Sequence, residues 1–501
     1  MNISRVLYWL LIYAAYFVSR LYALTLLPIF IDETDQLRRA LWISEGERLF
    51  HSWNYGKGLG VWVTAAVLPL AADPLWAGRA LVVGFGAVTL WACREIAAHL
   101  FGARVALAAA GLYILCPYTL MYDRLALSDP VAASFAALAL LASLRLARNP
   151  RPAAGARAGL ALALATLSKV NALPAFAAPA AVAVALRCVS REHRRALAVA
   201  YGVAVAVVAY PLWSFLSTPR VVEVGIGATG EAGPWAGGGS KLGRNIGLAW
   251  EWLSGYWTLP LLALAALGVA LVARERRREA WLLAFLALGP VAAYLPIARI
   301  WFPRYLVLSC VPLLVLAAMG LVAAAQRLRS VWPRQGAAPA LLGFSLAVIP
   351  ALRFDFALWT DPPRAPLPRL ERYQYLNGWP SGYGVRETVE FFRQALARDP
   401  EGLTIVAHGP SRRTTLQALG LYFAREPRVE LRLFDLNDPG VREPLRTLAA
   451  RQPTYLLVSL VHRSKVKPRP GTWGGQVAKR LITRKPDRSV CDEVYALLPD
   501  A

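Results

Sequence analysis

The sequence predicts a mainly helical membrane protein with a small α/β domain at its C-terminal end. Of its 501 residues, 57% are hydrophobic and only 17% are charged, which is too apolar for a soluble globular protein of this length. The apolar residues form long blocks of roughly 17 to 25 residues, which match the thickness of the hydrocarbon layer of a bilayer. The spanning elements are therefore predicted to be helices and not barrel strands.

The first apolar run, at 4–30, is long enough to be a membrane span. No small-residue cleavage site follows it, so we interpret it as a retained anchor and not as a secretory signal. The five cysteines of the chain show no CxxC spacing, and four of them lie in or at the edge of apolar segments. Neither a disulfide framework nor a zinc site is therefore indicated.

The net charge of +24 does not indicate a nucleic-acid partner, because the basic residues are distributed as in a membrane protein. Arginines cluster in short loops between apolar blocks, and loops of this kind face the cytoplasm. Successive basic loops are separated by two apolar blocks, which is the spacing expected if they all lie on one side. The basic loops are 145–157, 187–195, 274–279 and 326–334.

This arrangement predicts about eleven spans, with the N-terminus in the cytoplasm and both the loop 31–78 and everything after Arg353 outside. The apolar segment 58–72 must then not cross the membrane. Its fifteen residues are few for a span at about 1.5 Å of rise per residue, so we interpret it as a juxtamembrane or re-entrant helix. The predicted spans are 4–30, 79–97, 104–120, 130–147, 156–169, 172–188, 196–216, 247–272, 280–298, 304–325 and 337–352.

After residue 383 the sequence alternates between helix and strand patterns, as in a small soluble α/β domain. The chain is thus divided into a membrane domain at 1–352, a linker at 353–382 and an extracytoplasmic domain at 383–501. No GxGxxG or GxxxxGK motif follows a strand, so a nucleotide site is not indicated; the basic residues of the tail favour anionic lipid headgroups or an anionic acceptor. The predicted elements are helices at 385–397, 412–424 and 441–450, and strands, apolar on both faces, at 403–409, 429–435 and 454–462.

The segment IDETDQ follows directly on the first apolar run and places three carboxylates, Asp32, Glu33 and Asp35, at its outer end. Ordinary interfacial charges would explain such a triplet by itself. Further polar side chains are predicted on the same face, and a set of acids and bases at the helix ends of one face indicates a polar cavity. These side chains are Lys57, Asp123, Arg124, Asp129, Lys169, Arg299, Arg304 and Tyr305.

A structural role, such as satisfying a helix end or pairing across a loop, would explain any single one of these residues. As a set they favour chemistry, because a carboxylate can deprotonate a hydroxyl group and Lys and Arg can hold a phosphate. The pattern therefore favours transfer of a group from a phosphate-bearing lipid to an alcohol.

Five short motifs occur in a characteristic order: the carboxylate pair after the first span, GKGLGVW, YDRLALSDP, the Ser-Lys pair at 168–169 and FPRYLVLSCVPLLVLAA. Together they resemble the membrane-embedded glycosyltransferases of the GT-C class, in particular the bacterial relatives of protein O-mannosyltransferases and of lipid A aminoarabinose transferase. The resemblance covers roughly residues 1 to 330. The chain departs from the family pattern at Lys57-Gly58-Leu59, where relatives often have Lys-Pro-Pro, and at Asp123, where a small polar residue is expected.

The resemblance implies a polyprenyl-phosphate-linked sugar as donor and a hydroxyl of a glycan, lipid or protein as acceptor, in a bacterial plasma membrane. Asp32 would be the general base, Glu33 would orient the acceptor or the base, and a single displacement would invert the anomeric carbon. No metal ligand is assigned, and a requirement for a divalent metal is left open. The resemblance assigns the donor phosphate to Lys57, Arg299, Arg304 and Tyr305, and site-shaping roles to Arg124, Asp129 and Lys169.

Two alternatives remain open at the level of sequence. The first is a transporter or flippase of lipid-linked sugars, although transporters place ionisable groups near the middle of the membrane and often show repeated halves, whereas here the charges gather at one face. The second concerns the aromatic, glycine-rich segment 373–384, which suits either a loop facing a sugar or lipid or a packed linker.

Overall fold

The computed structural model describes residues 3–50, 53–217, 241–272, 276–298, 301–331, 338–408, 414–459, 473 and 476–498. Most of these residues are helical, and a five-stranded sheet is formed by the C-terminal part of the chain. The predicted fold class, a helical membrane protein with a C-terminal α/β domain, is confirmed.

Fifteen α-helices precede the C-terminal part of the chain. They are α1 (Ile3–Leu21), α2 (Ile31–Ser44), α3 (Gly58–Val67), α4 (Pro74–Phe101), α5 (Ala103–Leu115), α6 (Pro117–Tyr122), α7 (Ser128–Arg148), α8 (Pro152–Ser168), α9 (Ala177–Ala185), α10 (Arg191–Leu216), α11 (Lys241–Tyr256), α12 (Thr258–Val272), α13 (Arg277–Ile297), α14 (Val307–Val331) and α15 (Ala338–Thr360), counted within the described ranges. The C-terminal part adds α16 (Arg369–Arg372), α17 (Val385–Arg398), β1 (Leu403–His408), α18 (Thr414–Tyr422), β2 (Val429–Phe434), α19 (Arg442–Arg451), β3 (Thr454–Ser459), β4 (Val477–Arg484) and β5 (Val490–Leu497).

The chain forms two compact units. The helical unit comprises Met1–Leu24, Ile43–Val67 and Gly78–Pro368, and the tail unit comprises Thr25–Trp42, Leu68–Ala77 and Arg369–Ala501. The tail unit therefore contains the sheet and also the acidic motif IDETDQ, which the sequence assigned to an outer loop of the membrane domain. The last segment of the tail unit begins at Arg369, fourteen residues before the predicted domain boundary at 383.

Six described helices are long and apolar enough to cross a membrane, judged by length and composition, and a seventh span results if the bent pair α11 and α12 counts as one. Four further apolar helical segments have only 10 to 17 residues. The predicted count of about eleven spans is therefore not confirmed. One of the short segments is Gly58–Leu70, and its α-helical part, α3, is only about 15 Å long at the usual rise per residue, so its position relative to a membrane stays a prediction.

The predicted span at 247–272 is not one continuous helix, because the chain turns by 99° between α11 and α12. Thr258, the first residue of α12, has a positive φ of 57°. Pro260 has no N–H to continue the hydrogen bonding of α11, and its ring would collide with the carbonyl of Tyr256 in a straight helix. Tyr256 and Trp257, which lie at the bend, are both buried.

Small residues allow close helix contacts in the helical unit. Gly155 and Gly159 of α8 lie against the backbone carbonyls of Ala196 and Ala200 on α10, where an added Cβ would collide. The spacing of four residues puts the small residues on one face of each helix. Helix association in a membrane relies on van der Waals packing, so this close approach stabilises the pair.

The sheet of the tail unit has the strand order β2-β1-β3-β5-β4. β1 pairs in parallel with β2 and β3, and β5 pairs antiparallel with β3 and β4. The three predicted strands are present as β1, β2 and β3. However, β2 was expected to be buried on both faces and is instead a partly exposed edge strand.

The hairpin of β4 and β5 was not predicted from the sequence. Both strands carry charged residues, such as Lys479 and Arg480 on β4 and Asp492 and Glu493 on β5, and these interrupt the apolar pattern that marks a buried strand. β4 lies at an edge of the sheet, where charged residues are common because they discourage pairing with another chain.

The predicted topology can be tested by thiol labelling, but not through the native Cys491. This cysteine is 2% exposed, and burial raises the pKa of its thiol, so a thiol reagent would not report its side of the membrane. Thr447→Cys places a thiol on an exposed position of α19 instead. In a Cys188→Ser background, we expect a membrane-impermeant maleimide to label it on intact cells.

Val189→Cys in the same background is the matched control. Val189 is 78% exposed and lies in a basic loop that is predicted to face the cytoplasm, so it should react only after permeabilisation. The other native cysteines, Cys93, Cys116 and Cys310, are buried. If Thr447→Cys also required permeabilisation, the tail would lie in the cytoplasm and the predicted topology would be wrong.

Candidate functional site

The acidic motif begins helix α2 in the tail unit. The N–H of Phe30, the residue before the helix, donates to Glu33 Oε2 at 3.0 Å, and the Phe30 carbonyl accepts from the N–H of Thr34 at 3.0 Å. A glutamate at the third helical position that bonds back in this way forms one half of a capping box. Glu33 is fully buried, so it has a structural task that fixes the first turn of α2.

The two aspartates of the motif have different surroundings. Asp35 Oδ2 lies 3.0 Å from Arg39 Nε, one turn further along the helix. Asp32 is the second residue of α2 and is half-buried. A carboxylate is stabilised in the first turn by the positive end of the helix dipole. Asp32 stays the candidate base that the family resemblance assigns, and Asp35 forms an ion pair within its own helix.

The aromatic segment 373–384 packs against the start of α2. The N–H of Ile31 donates to the carbonyl of Pro380 at 3.0 Å, and the rings of Phe30 and Tyr375 lie 4.7 Å apart between centroids. Tyr375 is buried. Of the two roles that the sequence left open for this segment, these contacts support the packed one.

The helical unit holds a buried ion pair between two predicted site residues. Lys169 Nζ lies 2.6 Å from each carboxylate oxygen of Asp129, and both side chains are at least nine-tenths buried. Asp129 stands in the first turn of α7, and Lys169 directly follows α8. Because an isolated buried charge is costly, each of these residues depends on the other.

Arg304 and Tyr305 lie beside this pair. Lys169 Nζ is 5.1 Å from the centroid of the Tyr305 ring. The Arg304 guanidinium is 4.2 Å from the ring of Phe302 and 5.9 Å from that of Tyr305, and Arg304 is buried. A guanidinium presents several fixed donors that match the oxygens of a phosphate.

Lys57 belongs to the same cluster. It directly precedes α3, and its charge and that of Arg304 both repel the Lys169 ammonium. The carbonyl of Gly56 accepts from the N–H of the residue after Lys169 at 2.9 Å, which ties the two chain segments together. The three basic side chains of this described cluster outnumber the single carboxylate of Asp129, and a local excess of positive charge attracts anions.

Asp123 has a different set of buried contacts within the helical unit. It accepts hydrogen bonds from the hydroxyls of Tyr16 and Tyr113, both at 3.2 Å. The Nε of the fully buried Arg20 lies 3.7 Å from its carboxylate. An acid is therefore needed at this position to balance a buried guanidinium, which accounts for the departure from the family pattern.

Arg124 also has a structural role. Its Nη2 donates to the carbonyls of Tyr22 and Ala23 at 2.8 and 2.7 Å, directly after the end of α1. Arg124 thus ties the turn that follows α1 to the segment that follows α6. Its predicted site-shaping function stays a prediction.

The structure thus brings together Lys57, Asp129, Lys169, Arg304 and Tyr305 in the helical unit, whereas Asp32 and Glu33 belong to the tail unit. Arg299 lies outside the described residues. In the part of the chain that the structure describes, no group of three or more His, Cys, Asp or Glu side chains is placed to hold a metal ion.

Tyr118 is a residue of this region that the sequence analysis missed. Its hydroxyl donates to the carbonyl of Pro303, next to Arg304, at 3.1 Å, and its ring stacks on Trp257 at 4.2 Å. Both rings are buried. The tyrosines of the segment CPYTLMY could have indicated a polar site, but most of this segment was assigned to the predicted span at 104–120.

Comparison with known proteins shows which fold the chain has. Residues 59–215 match the family model described as dolichyl-phosphate-mannose-protein mannosyltransferase. The crystal structure of ArnT from Cupriavidus metallidurans in the apo state is similar over 98% of this chain and 97% of that chain, with a TM-score of 0.61 and 17% sequence identity. The chain has the GT-C fold.

Two further structures share this GT-C fold. ArnT from Cupriavidus metallidurans bound to undecaprenyl phosphate is similar over 98% of this chain and 97% of that chain, with a TM-score of 0.60 and 16% identity. The apo oligosaccharyltransferase from Archaeoglobus fulgidus is similar over 89% of this chain and 69% of that chain, with a TM-score of 0.53 and 13% identity. A comparison with curated protein sequences finds no match. The resemblance to the GT-C class that the motifs indicated is confirmed.

Proposed function

We propose that this GT-C protein is a membrane glycosyltransferase that moves a sugar from a polyprenyl-phosphate-linked donor to an acceptor hydroxyl. The acceptor is a glycan, lipid or protein, and the transfer takes place on the extracytoplasmic face of a bacterial plasma membrane. The observation that carries the proposal is the cluster of Lys57, Asp129, Lys169, Arg304 and Tyr305 in a chain with the GT-C fold. Three of its members, Asp129, Lys169 and Arg304, are buried.

Two of the similar structures support the class of donor. ArnT from Cupriavidus metallidurans is bound to undecaprenyl phosphate, and the oligosaccharyltransferase AglB from Archaeoglobus fulgidus is in complex with an inhibitory peptide and a dolichol-phosphate. Both lipids are polyprenyl phosphates. The positive charge of the cluster in this chain suits the same chemical group.

Asp32 is the proposed general base. Its carboxylate takes the proton of the acceptor hydroxyl as the acceptor oxygen attacks the anomeric carbon of the sugar. The bond from this carbon to the phosphate oxygen breaks, and its electron pair leaves with the phosphate. A single displacement without a covalent sugar–enzyme intermediate inverts the configuration of the carbon. Glu33 orients the base by fixing the first turn of α2.

The basic cluster is proposed to stabilise the leaving group. Negative charge grows on the polyprenyl phosphate as its bond to the sugar breaks, and preorganised donors in a site that excludes water stabilise such charge strongly. Arg304 and Lys57 supply positive charge, and Tyr305 supplies a hydroxyl donor. Arg299 is assigned the same role by the family pattern alone. The Asp129–Lys169 pair holds the adjoining helix ends in place.

The reaction can be tested directly with the purified protein. In lipid nanodiscs with labelled polyprenyl-phosphate sugars and a hydroxyl-bearing acceptor, we expect release of free polyprenyl phosphate and labelling of the acceptor. A protein that releases none, but moves the intact lipid-linked sugar across the bilayer of proteoliposomes, would instead be a transporter.

Arg304→Ala is expected to lower kcat/KM for the lipid donor by about 100- to 1,000-fold, the usual loss when one donor to a developing negative charge is removed. The loss should be largest in kcat, because the charge is missed most as the phosphate departs. Lys57→Ala should act in the same direction. The measurement is the initial rate of polyprenyl phosphate release at several donor concentrations.

Arg327→Ala is the control for this substitution. Arg327 is an exposed residue near the other end of the helix that follows Arg304, so its loss removes the same charge without touching the cluster. Its kinetics should equal those of the wild type. Wild-type kinetics in Arg304→Ala would remove Arg304 from the phosphate site.

A further inference from the structure

Lys485 is a buried ammonium in the tail unit. It follows β4 directly and is 4% exposed. Its Nζ donates to the carbonyl of Asn377 at 2.9 Å and also to that of Gly378. Burial lowers the pKa of Lys485 from its ordinary value, while the neighbouring Cys491 and Asp487 act in the opposite direction. Burying a charge is costly unless it is well hydrogen-bonded. The two hydrogen bonds meet this need, and they also fix the position of the short loop that contains Asn377 and Gly378.

The loop that Lys485 holds is a brace, defined as residues 377–382. Two further side chains hold the same segment: the hydroxyl of Thr414 donates to the carbonyl of Pro380 at 3.0 Å, and that of Ser381 donates to the carbonyl of Tyr375 at 3.0 Å. Thr414 begins α18 and Lys485 directly follows β4. The brace is therefore anchored to both a helix and the sheet of the tail unit.

The other side of the brace holds the acidic helix. The N–H of Ile31, the first residue of α2, donates to the carbonyl of Pro380 at 3.0 Å. Gly382 lies so close to the carbonyl of Ile29 that an added Cβ would collide with it. Asp32 directly follows Ile31, so its backbone position is set by a contact that the brace provides.

We propose that Lys485 is a positioning residue for the transfer reaction, acting through the brace on the first turn of α2 and thereby on Asp32. This inference rests on the proposed function, in which Asp32 is the base. Catalytic geometry tolerates little error, because a misplacement of about 1 Å can cost on the order of 100-fold in rate. The sheet of the tail unit thus contributes to catalysis by holding the acidic helix.

The first test compares two lysines of the same hairpin. Lys485→Met should lower kcat by about 10- to 100-fold while KM for the lipid donor stays unchanged, because the donor site lacks Lys485. Lys485→Arg, which keeps the charge, should restore part of the rate. Lys479→Met is the matched control, since Lys479 is an exposed residue of β4 whose ammonium pairs with Glu493 at 2.7 Å, and it should leave both constants at wild-type values.

The second test is a double-mutant cycle. If Lys485 acts only through the base, Lys485→Met should cause no further loss in an Asp32→Asn background, where the base is already absent. Additive losses would overturn the inference and indicate an independent role of Lys485. If Asp32→Asn alone transfers sugar at the wild-type rate, the assignment of Asp32 as the base is wrong. If Asp32→Asn lowers the rate but Lys485→Met leaves it at the wild-type value, only the positioning role of Lys485 is wrong.

A second variant covers the case in which Lys485→Met does not fold. Gly382→Ala leaves the lysine in place but forces the brace and the carbonyl of Ile29 apart. It should show the same loss in kcat, the same unchanged KM and the same absence of effect in the Asp32→Asn background. Wild-type kcat in a folded Gly382→Ala protein, as judged by an unchanged Tm, would contradict the proposal.

Discussion

Asp32→Asn is expected to lower the rate of sugar transfer by about 100- to 10,000-fold, which is the usual cost of losing a general base. Asparagine keeps the size and most hydrogen bonds of aspartate, but it cannot take the proton of the acceptor. The helix around it should persist, because the Phe30–Glu33 cap is untouched. The measurement is polyprenyl phosphate release at saturating donor, together with donor binding and membrane insertion, which should both stay near wild type.

Asp35→Asn is the matched control on the same helix. It removes the ion pair with the buried Arg39, so it can affect stability, but Asp35 has no role in the proposed chemistry. The transfer rate should therefore change little. If Asp32→Asn transferred sugar as fast as the wild type, the acidic triplet would consist of ordinary interfacial charges and another residue would have to be the base.

Lys169→Met is expected to destabilise the helical unit by about 3 to 5 kcal/mol, the usual cost of removing one partner of a buried ion pair. The substitution leaves the Asp129 carboxylate, which is 3% exposed, without its ammonium partner. The measurement is the free energy of unfolding of the detergent-solubilised protein, compared with that of the wild type.

Two further variants separate the ion pair from general effects of substitution. The double variant with Asp129→Asn and Lys169→Met should recover most of the lost stability, because it leaves no lone buried charge. Lys479→Met breaks the more exposed pair with Glu493 and should cost less than about 1 kcal/mol. If Lys169→Met cost as little as Lys479→Met, the Asp129–Lys169 ion pair would not contribute to the stability of the helical unit.

The sequence predicted the elements whose signal is local. Long apolar blocks gave the class of membrane protein, and the alternation after residue 383 gave α17, α18, α19 and the first three strands. The sequence analysis missed two features for different reasons. The bend at Thr258 depends on one proline in an otherwise continuous apolar run, and the hairpin of β4 and β5 is stabilised by pairing with β3 and not by its own pattern.

The residues of the candidate site also divide into those that the sequence indicated and those whose contacts only the structure showed. The family resemblance assigned Asp32 as the base and Lys57 and Arg304 to the donor phosphate before any contact was known, and these roles stay predictions. The sequence could not show that Glu33 caps a helix or that Asp123 balances Arg20. The sequence also did not indicate that Lys485 is buried, because a lysine among other charged residues is expected to be exposed to solvent.

The sequence by itself determined that the protein is a helical membrane protein with an α/β tail and that its motifs resemble those of the GT-C class, because hydrophobic periodicity and motif order are properties of the chain alone. Only the tertiary structure decided which charge meets which partner. Asp129 and Lys169 are forty residues apart in sequence, and Lys485 and Asn377 are 108 apart. Such pairs form only when packing brings distant segments together, and the energy of a buried charge depends on that partner and not on its neighbours in sequence.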